Sequence, residues 1–311
     1  MPTLQQLRYL VAVADTAHFR RAAERCHVSQ PTLSGQLKEL EARLQGQLVE
    51  RDRRARVVLT PLGREVVGRA RRALREVEDI RDLARRGGPT PVGTTRLGAL
   101  PTLGAYFLSL VVPDLHRAFP ELKLFVREGS HDGLLAGLDD GQLDALLFPL
   151  PVRGDHLETT PLLGEPLLIV VPSDHPLARE QAIGPERLRG ETVLALEPGY
   201  RLHVQVEELC ESFGAQLSRD FEGTSLDTLR LMVGMGMGIA FLPALYVRSE
   251  ARKDPAVVVV QLVPEPPERL VGLVWRKRSA RSEAFHTLAE HMRSVFRASV
   301  PDVRVESADP G

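Results

Sequence analysis

Apolar positions in the first 45 residues recur every three or four residues and predict three helices. The first helix would carry the stripe Leu4, Leu7, Leu10, Val11 and Ala14. Two further helices are separated by a break at His27 and Val28, and the last would carry the stripe Leu33, Leu37, Leu40 and Leu44. Ser29 is a good N-cap for that last helix, and Pro31 fits its first turn, where a backbone N–H is not needed.

The face of the third helix that points away from its apolar stripe is small, polar and basic. This face presents Pro31, Gly35 and Lys38, with Thr32, Ser34 and Gln36 beside them. It suits the major groove of DNA, because a glycine lets another surface approach closely. The same pattern is also typical of an ordinary amphipathic helix pair with a solvated outer face.

A short basic segment follows, directly before the β-prone residues 57–59. It contains Arg51, Arg53, Arg54 and Arg56. This arrangement predicts a hairpin wing whose tip contacts phosphate or the minor groove. The alternative interpretation is a solvated basic loop.

A longer helix is predicted from the Thr60–Pro61 cap to about residue 86, where Gly87, Gly88 and Pro89 stop it. Its apolar residues repeat every 3.5 positions, as in two helices wound together; they are Val66, Ala70, Ala73, Val77, Ile80 and Ala84. We interpret it as a linker and dimerisation helix. The alternative is a single helix packed on its own domain, which the arginine-rich remaining faces oppose.

From residue 94 the pattern alternates between strands and helices. Strands are predicted at 95–100, 122–126, 145–148, 167–171, 193–196, 239–242 and 270–275, and helices at 103–119, 134–138 and 282–297. Such alternation predicts parallel βαβ units and an α/β fold.

Composition and charge narrow the class of protein. The 311 residues suggest two or three domains, and 43% of them are hydrophobic, as in an ordinary globular protein. Residues 1–90 carry 18 basic and 11 acidic side chains, whereas the rest of the chain carries 22 basic and 30 acidic ones. This asymmetry favours a nucleic-acid-binding module joined to an acidic body.

The N-terminus lacks a signal pattern and no apolar run approaches the ~20 residues that span a membrane, so we expect a cytoplasmic protein. An enzyme is disfavoured because no Ser-His-Asp, metal-ligand or P-loop pattern appears, and no cofactor is expected.

Residues 26–37 read Cys-His-Val-Ser-Gln-Pro-Thr-Leu-Ser-Gly-Gln-Leu. This stretch closely resembles the winged helix-turn-helix of LysR-type transcriptional regulators, and most of all their peroxide-responsive OxyR branch. The resemblance implies that Ser29, Gln30, Pro31, Thr32 and Ser34 approach DNA. The helix face and the basic wing add the candidate contacts Gln36, Lys38, Arg51, Arg53 and Arg54.

The resemblance also implies the domain organisation. A winged helix-turn-helix would cover residues 1–60, a linker helix 61–91, and a two-lobed effector domain similar to periplasmic binding proteins 92–300. Lobe I would hold 92–163 and 268–300, lobe II would hold 164–267, and a ligand would sit between them. The implied partners are promoter DNA, RNA polymerase and further copies of this chain in a homodimer or homotetramer.

Two glycine-containing segments strengthen the resemblance. Residues 138–145 would form a helix end, a turn and a strand start, and residues 233–243 resemble the family's glycine turn before a strand. The glycines of the second segment also suggest a dinucleotide-binding loop. That loop follows a strand and opens a helix, whereas here a helix precedes and a strand follows, so nucleotide binding is disfavoured.

The expected sensing segment departs from the family. In the OxyR branch a reactive cysteine pairs with a second cysteine nine residues later. Here the second position is Cys210 but the first is Arg201, so the intramolecular disulfide cannot form; the chain's other cysteine, Cys26, lies in the DNA-binding region. The hypothesis is a regulator of the peroxide response that senses through Cys210 alone.

Two interpretations of Cys210 stay open. Arg201 and His203 would favour its thiolate if the loop folded back, whereas Glu207 and Glu211 would oppose it. An apolar neighbourhood would instead make Cys210 a buried structural cysteine.

The resemblance places the effector cleft at Thr102, Ser130, Arg201 and Thr224. These residues also suit an alternative function, a LysR-type regulator that senses a small anionic metabolite between the lobes.

Overall fold

The structure is a computed structural model that describes residues 1–51, 57–85 and 90–307. The described residues fall into two compact units, the first within 1–87 and 139–142 and the second within 88–138 and 143–311. The helices are α1 (Leu4–Thr16), α2 (Phe19–Arg25), α3 (Gln30–Leu44), α4 (Pro61–Arg85), α5 (Gly104–Ala118), α6 (His131–Asp139), α7 (Arg201–Phe213), α8 (Leu226–Gly234), α9 (Ala244–Ser249) and α10 (Ser282–Ser299). The strands are β1 (Val49–Arg51), β2 (Val57–Leu59), β3 (Gly93–Ala99), β4 (Leu122–Glu128), β5 (Ala145–Pro149), β6 (Leu157–Pro172), β7 (Ala182–Ile183), β8 (Thr192–Leu196), β9 (Gln216–Gly223), β10 (Ile239–Pro243), β11 (Val257–Leu262), β12 (Glu268–Arg276) and β13 (Arg304–Val305).

Helices α1, α2 and α3 pack around one apolar core in the first unit. Leu33, Leu37 and Leu40 of α3 are fully buried, as the predicted stripe requires, together with Leu10 and Val13 of α1. The start of α1 is fixed by a reciprocal cap between Thr3 and Gln6. The three-helix prediction is confirmed.

The break between α2 and α3 is a tight turn. His27 adopts a left-handed backbone conformation, with φ of +54°. Ser29 then caps α3, because its Oγ accepts a hydrogen bond from the backbone N–H of Thr32 at 3.3 Å. The expected N-cap and the proline in the first turn are therefore both present.

The predicted hairpin forms from β1 and β2, which pair antiparallel with Val49 opposite Leu59 and Arg51 opposite Val57. The candidate contacts Arg53 and Arg54 lie outside the described residues, so they stay predictions.

Helix α4 begins where the sequence predicts. Thr60 caps it, since its Oγ1 accepts from the N–H of Gly63 at 2.9 Å. Val67, near the start, is buried in the core of the first unit, and Ala70 is also buried. Further along the 3.5-residue seam, Val77 is half-buried and Ile80 is 62% exposed.

A long mixed sheet organises the second unit, in the order β4-β3-β5-β12-β6-β10-β8-β9. Its outer strands pair parallel, as predicted: β3 with β4 and β5, and β8 with β9 and β10. The two central strands are different, because β12 pairs antiparallel with β5 and β6, and β6 pairs antiparallel with β10. The predicted parallel βαβ units thus form the outer parts of the sheet, and antiparallel strands join them at its centre.

Strand β6 connects two lobes of the second unit. Its first part pairs with β12, beside β5 and β3, whereas residues 167–172 pair with β10 and β11. We call the part built on β3, β4 and β5 lobe I and the part built on β8, β9 and β10 lobe II. Each lobe has its own apolar core.

The glycine segment before β10 forms as predicted. Helix α8 ends at Gly234, β10 starts at Ile239, and Gly236 and Gly238 between them have φ of +78° and +154°. Of the helices in the described ranges, none combines the length and the apolar character needed to cross a bilayer.

Candidate functional site

The outer face of α3 is open to a partner. Gln30, Pro31, Thr32 and Lys38 are all exposed. A Cβ added at Gly35 would meet nothing within 4 Å, so this face can be approached closely. These features match what a helix needs to enter a DNA major groove.

Two of the predicted DNA contacts are less available. Gln36 is half-buried, and its amide bonds Gln6 at 3.2 Å and Glu39 at 3.3 Å. Ser34 is also half-buried. Gln36 therefore links α1 to α3. The exposed residues at the start of α3 are the stronger candidates for contact with DNA.

The second unit contains a cavity of about 400 Å³ between its lobes. Thr102, Ser130 and Arg201 all line it, as the sequence predicts. Thr224 is not among its lining residues, and its carbonyl oxygen instead accepts a hydrogen bond from the Tyr200 hydroxyl at 3.2 Å. The predicted cleft thus contains three of the four predicted residues.

Lobe II presents the start of α7 to this cavity. Tyr200 occupies the N-cap position without a side-chain cap bond, and Arg201 is the first helical residue and is exposed. The positive end of a helix and a guanidinium both attract an anion. Glu197, Glu208 and Glu268 also line the cavity, so its polar lining carries both signs of charge.

Arg269, which lines the cavity, belongs to a buried ion pair that was not predicted from the sequence. Arg269 of β12 donates from Nε to Oε2 of Glu165 on β6 at 2.8 Å, and both side chains are almost completely buried. The same guanidinium donates to the carbonyl oxygen of Thr102 at 2.9 Å and to its Oγ1 at 3.3 Å.

Cys210 lies in the last turn of α7 and is 3% exposed, among the apolar residues of lobe II. Burial, with a smaller contribution from Glu207, raises the pKa of its thiol to about 11. Arg201 is nine residues earlier on the same continuous helix, about 13 Å away along its axis. The suggestion that Arg201 and His203 fold back to favour the thiolate was therefore wrong, because both are held in α7.

Cys26 sits in the turn after α2, in the first unit, and is half-buried. Burial raises the pKa of its thiol, and the nearby Arg25 partly opposes that effect. Neither cysteine thus lies in surroundings that favour a thiolate at neutral pH.

Comparison with known proteins agrees with this architecture. Residues 4–64 match the bacterial regulatory helix-turn-helix protein, lysR family, and residues 89–297 match the LysR substrate binding domain. The chain is 41% identical over 291 residues to the DNA-binding transcriptional dual regulator OxyR of Escherichia coli, covering 94% of this chain and 95% of that protein. It is 38% identical to a hydrogen peroxide-inducible genes activator of Dickeya chrysanthemi, over 98% and 99% of the two chains.

Solved structures give the same result. A full-length OxyR variant from Pseudomonas aeruginosa superimposes with a TM-score of 0.79 at 35% identity, over 94% of this chain and 98% of that one. The two matched domains together span the helix-turn-helix and the two-lobed unit described above. The chain therefore belongs to the LysR family of DNA-binding transcriptional regulators, and within that family to the OxyR branch.

Proposed function

We propose that this protein regulates transcription in response to hydrogen peroxide and that Cys210 is its redox-active group. The observation that carries the proposal is the position of Cys210 at the end of α7, the helix that starts at the effector cleft. Relatives named hydrogen peroxide-inducible genes activators support the peroxide response. Promoter DNA is the proposed partner of α3, and the proposed location of the protein is the cytoplasm.

The proposed chemistry needs only peroxide and one thiol. The sulfur of Cys210 attacks one peroxide oxygen, the O–O bond breaks, and the sulfur becomes a sulfenic acid while water leaves with the second oxygen. The reaction adds a polar oxygen to an apolar site. That change would disturb the packing of the last turn of α7 and so alter the surface of lobe II.

The test is a pair of single-thiol variants. Cys210→Ser should abolish the effect of stoichiometric peroxide on promoter binding and transcription, whereas Cys26→Ser should leave it intact. Intact mass after peroxide treatment should show one added oxygen only when Cys210 is present. A peroxide response that survives in Cys210→Ser would exclude this sensing mechanism.

DNA recognition is proposed to divide between the two kinds of exposed residue on α3. Lys38→Ala should weaken all DNA sequences about equally and reduce the salt slope by about 1, because a lysine contributes phosphate attraction. Thr32→Ala should instead change which operator is preferred. Binding measured on several operators over a salt series separates the two effects; uniform weakening by both variants would exclude α3 as the sequence-reading helix. Arg53→Ala is expected to behave like Lys38→Ala.

Self-association is the second part of the proposal. Large apolar side chains are exposed in both units: Ile80 at 62%, Phe125 at 60% and Met235 at 74%. Exposed apolar residues of this kind support a contact between chains where they belong to a continuous apolar patch. We propose a homodimer through α4, further contacts of the second unit in a homotetramer, and RNA polymerase as a partner at promoters.

A second candidate function rests on the cavity itself. Arg201, Thr102 and Ser130 meet there with the start of α7, an arrangement that suits a small anion such as a carboxylate. In that case Arg201→Gln should abolish the transcriptional response while Cys210→Ser retains it. The two variants therefore distinguish thiol oxidation from anion binding.

A further inference from the structure

Glu165 and Arg269 join four parts of the second unit, and Arg269 lines the cleft. They lie directly opposite each other on β6 and β12, although 104 residues separate them in sequence. Arg269 contacts Thr102, just before α5 in lobe I. Glu165 uses its other oxygen, Oε1, to accept from the backbone N–H of Leu245 in the first turn of α9, at 2.9 Å.

The contacts continue from α9 to α8. The hydroxyl of Tyr246, the residue after Leu245, donates to Asp227 at 2.9 Å and accepts from Nε of Arg230 at 3.1 Å. Leu231 on the same helix α8, and Met235 directly after its end, are 50% and 74% exposed. Hydrogen bonds thus connect Thr102 of the cleft to the start of α9, and Tyr246 of α9 bonds α8, so the two sets of contacts are joined through the backbone of α9.

We propose that the Glu165–Arg269 pair couples the effector cleft to α9 and α8, with Arg269 as a positioning residue that holds Thr102. The pair is suited to this role because a buried charge that loses its partner is strongly unfavourable. When a cleft occupant displaces Thr102, the guanidinium must move with it or lose a contact. Glu165 must then adjust to the guanidinium, and the start of α9 follows because its N–H is bound to the same carboxylate.

The proposed coupling concerns how the cleft transmits a signal, and it rests on the proposed function because only a regulator would use such a signal. The physical coupling is tested without ligand or oxidant, so its outcome is independent of whether peroxide or an anion is sensed. Hydrogen–deuterium exchange of the full-length protein measures it, because exchange reports local opening of the backbone. Thr102→Val removes the hydroxyl that Arg269 contacts and nearly preserves the side-chain shape.

Thr102→Val should speed exchange in residues 244–249, in the other lobe, at least about threefold, since a hydrogen bond to a charged group is lost. Glu165→Gln should reciprocally speed exchange in residues 100–104. The matched control is Ser130→Ala, a second hydroxyl of the cleft in lobe I, whose Oγ bonds Gly133 and not Arg269. It should leave residues 244–249 unchanged.

The coupling is wrong if Thr102→Val speeds exchange only near residue 102. It is also wrong if exchange rises equally throughout the second unit, because the pair would then serve overall stability alone. Should Glu165→Gln fail to fold, Thr102→Val and Ser130→Ala decide the question by themselves.

Discussion

A Val77→Asp variant is expected to be monomeric at micromolar concentration while its second unit stays folded. Val77 is half-buried within one chain, and Ile80, the next residue of the seam, is 62% exposed. In a paired helix the new carboxylate would be buried without a partner, which costs several kcal/mol. The dissociation constant of the dimer should therefore rise at least about 100-fold, measured by analytical ultracentrifugation.

The matched control for this experiment is Arg69→Asp. It introduces the same side chain at an exposed position of α4 that lies off the seam. This variant should remain dimeric. Dimers of Val77→Asp that persist at micromolar concentration would remove α4 from the interface.

Oxidation of Cys210 by peroxide is expected to accelerate about tenfold for each pH unit between pH 7 and 10. The thiolate is the reactive form, and a pKa of about 11 leaves it at a fraction of ~10⁻⁴ at neutral pH. Because the pKa is raised, raising the pH increases the thiolate throughout this window. The rate, followed as sulfenic acid by intact mass in a Cys26→Ser background, should rise about 1000-fold in total.

Two neighbouring carboxylates provide the control. Glu207 contributes to the raised pKa of Cys210, so Glu207→Gln should speed oxidation at pH 7 by about two- to threefold, a modest change because Glu207 is exposed to solvent. Glu208→Gln removes an adjacent charge that faces the cavity and should leave the rate unchanged. A rate that does not vary between pH 7 and 9 would contradict a thiol shielded by burial.

Local features of the first unit could be predicted from the sequence. The stripe of α3, the Ser29 cap and the start of α4 depend on residues within a few positions of one another, and all three are present. Helical periodicity and capping can be predicted from a single sequence because they depend on residues that are close together in the chain.

Features of the second unit that depend on strand register were not predictable. The sequence indicated a strand only at 167–171, because prolines at 161 and 166 interrupt the apolar pattern, yet β6 starts at Leu157. The Glu165–Arg269 pair exists only because β6 and β12 align in one register. Arg201 lines the cavity, but its distance from Cys210 depended on residues 201–213 forming one continuous helix.

The shared strand β6 also has a consequence for biosynthesis. Lobe II is formed largely from one contiguous part of the chain, residues 167–262, whereas the core of lobe I combines Phe107 with Phe296, whose rings lie 4.6 Å apart. A ribosome delivers the chain from its N-terminus, and domains tend to fold as their segments emerge. Lobe II can therefore fold first. The early strands of lobe I stay partly exposed to solvent until β12 and α10 have been synthesised.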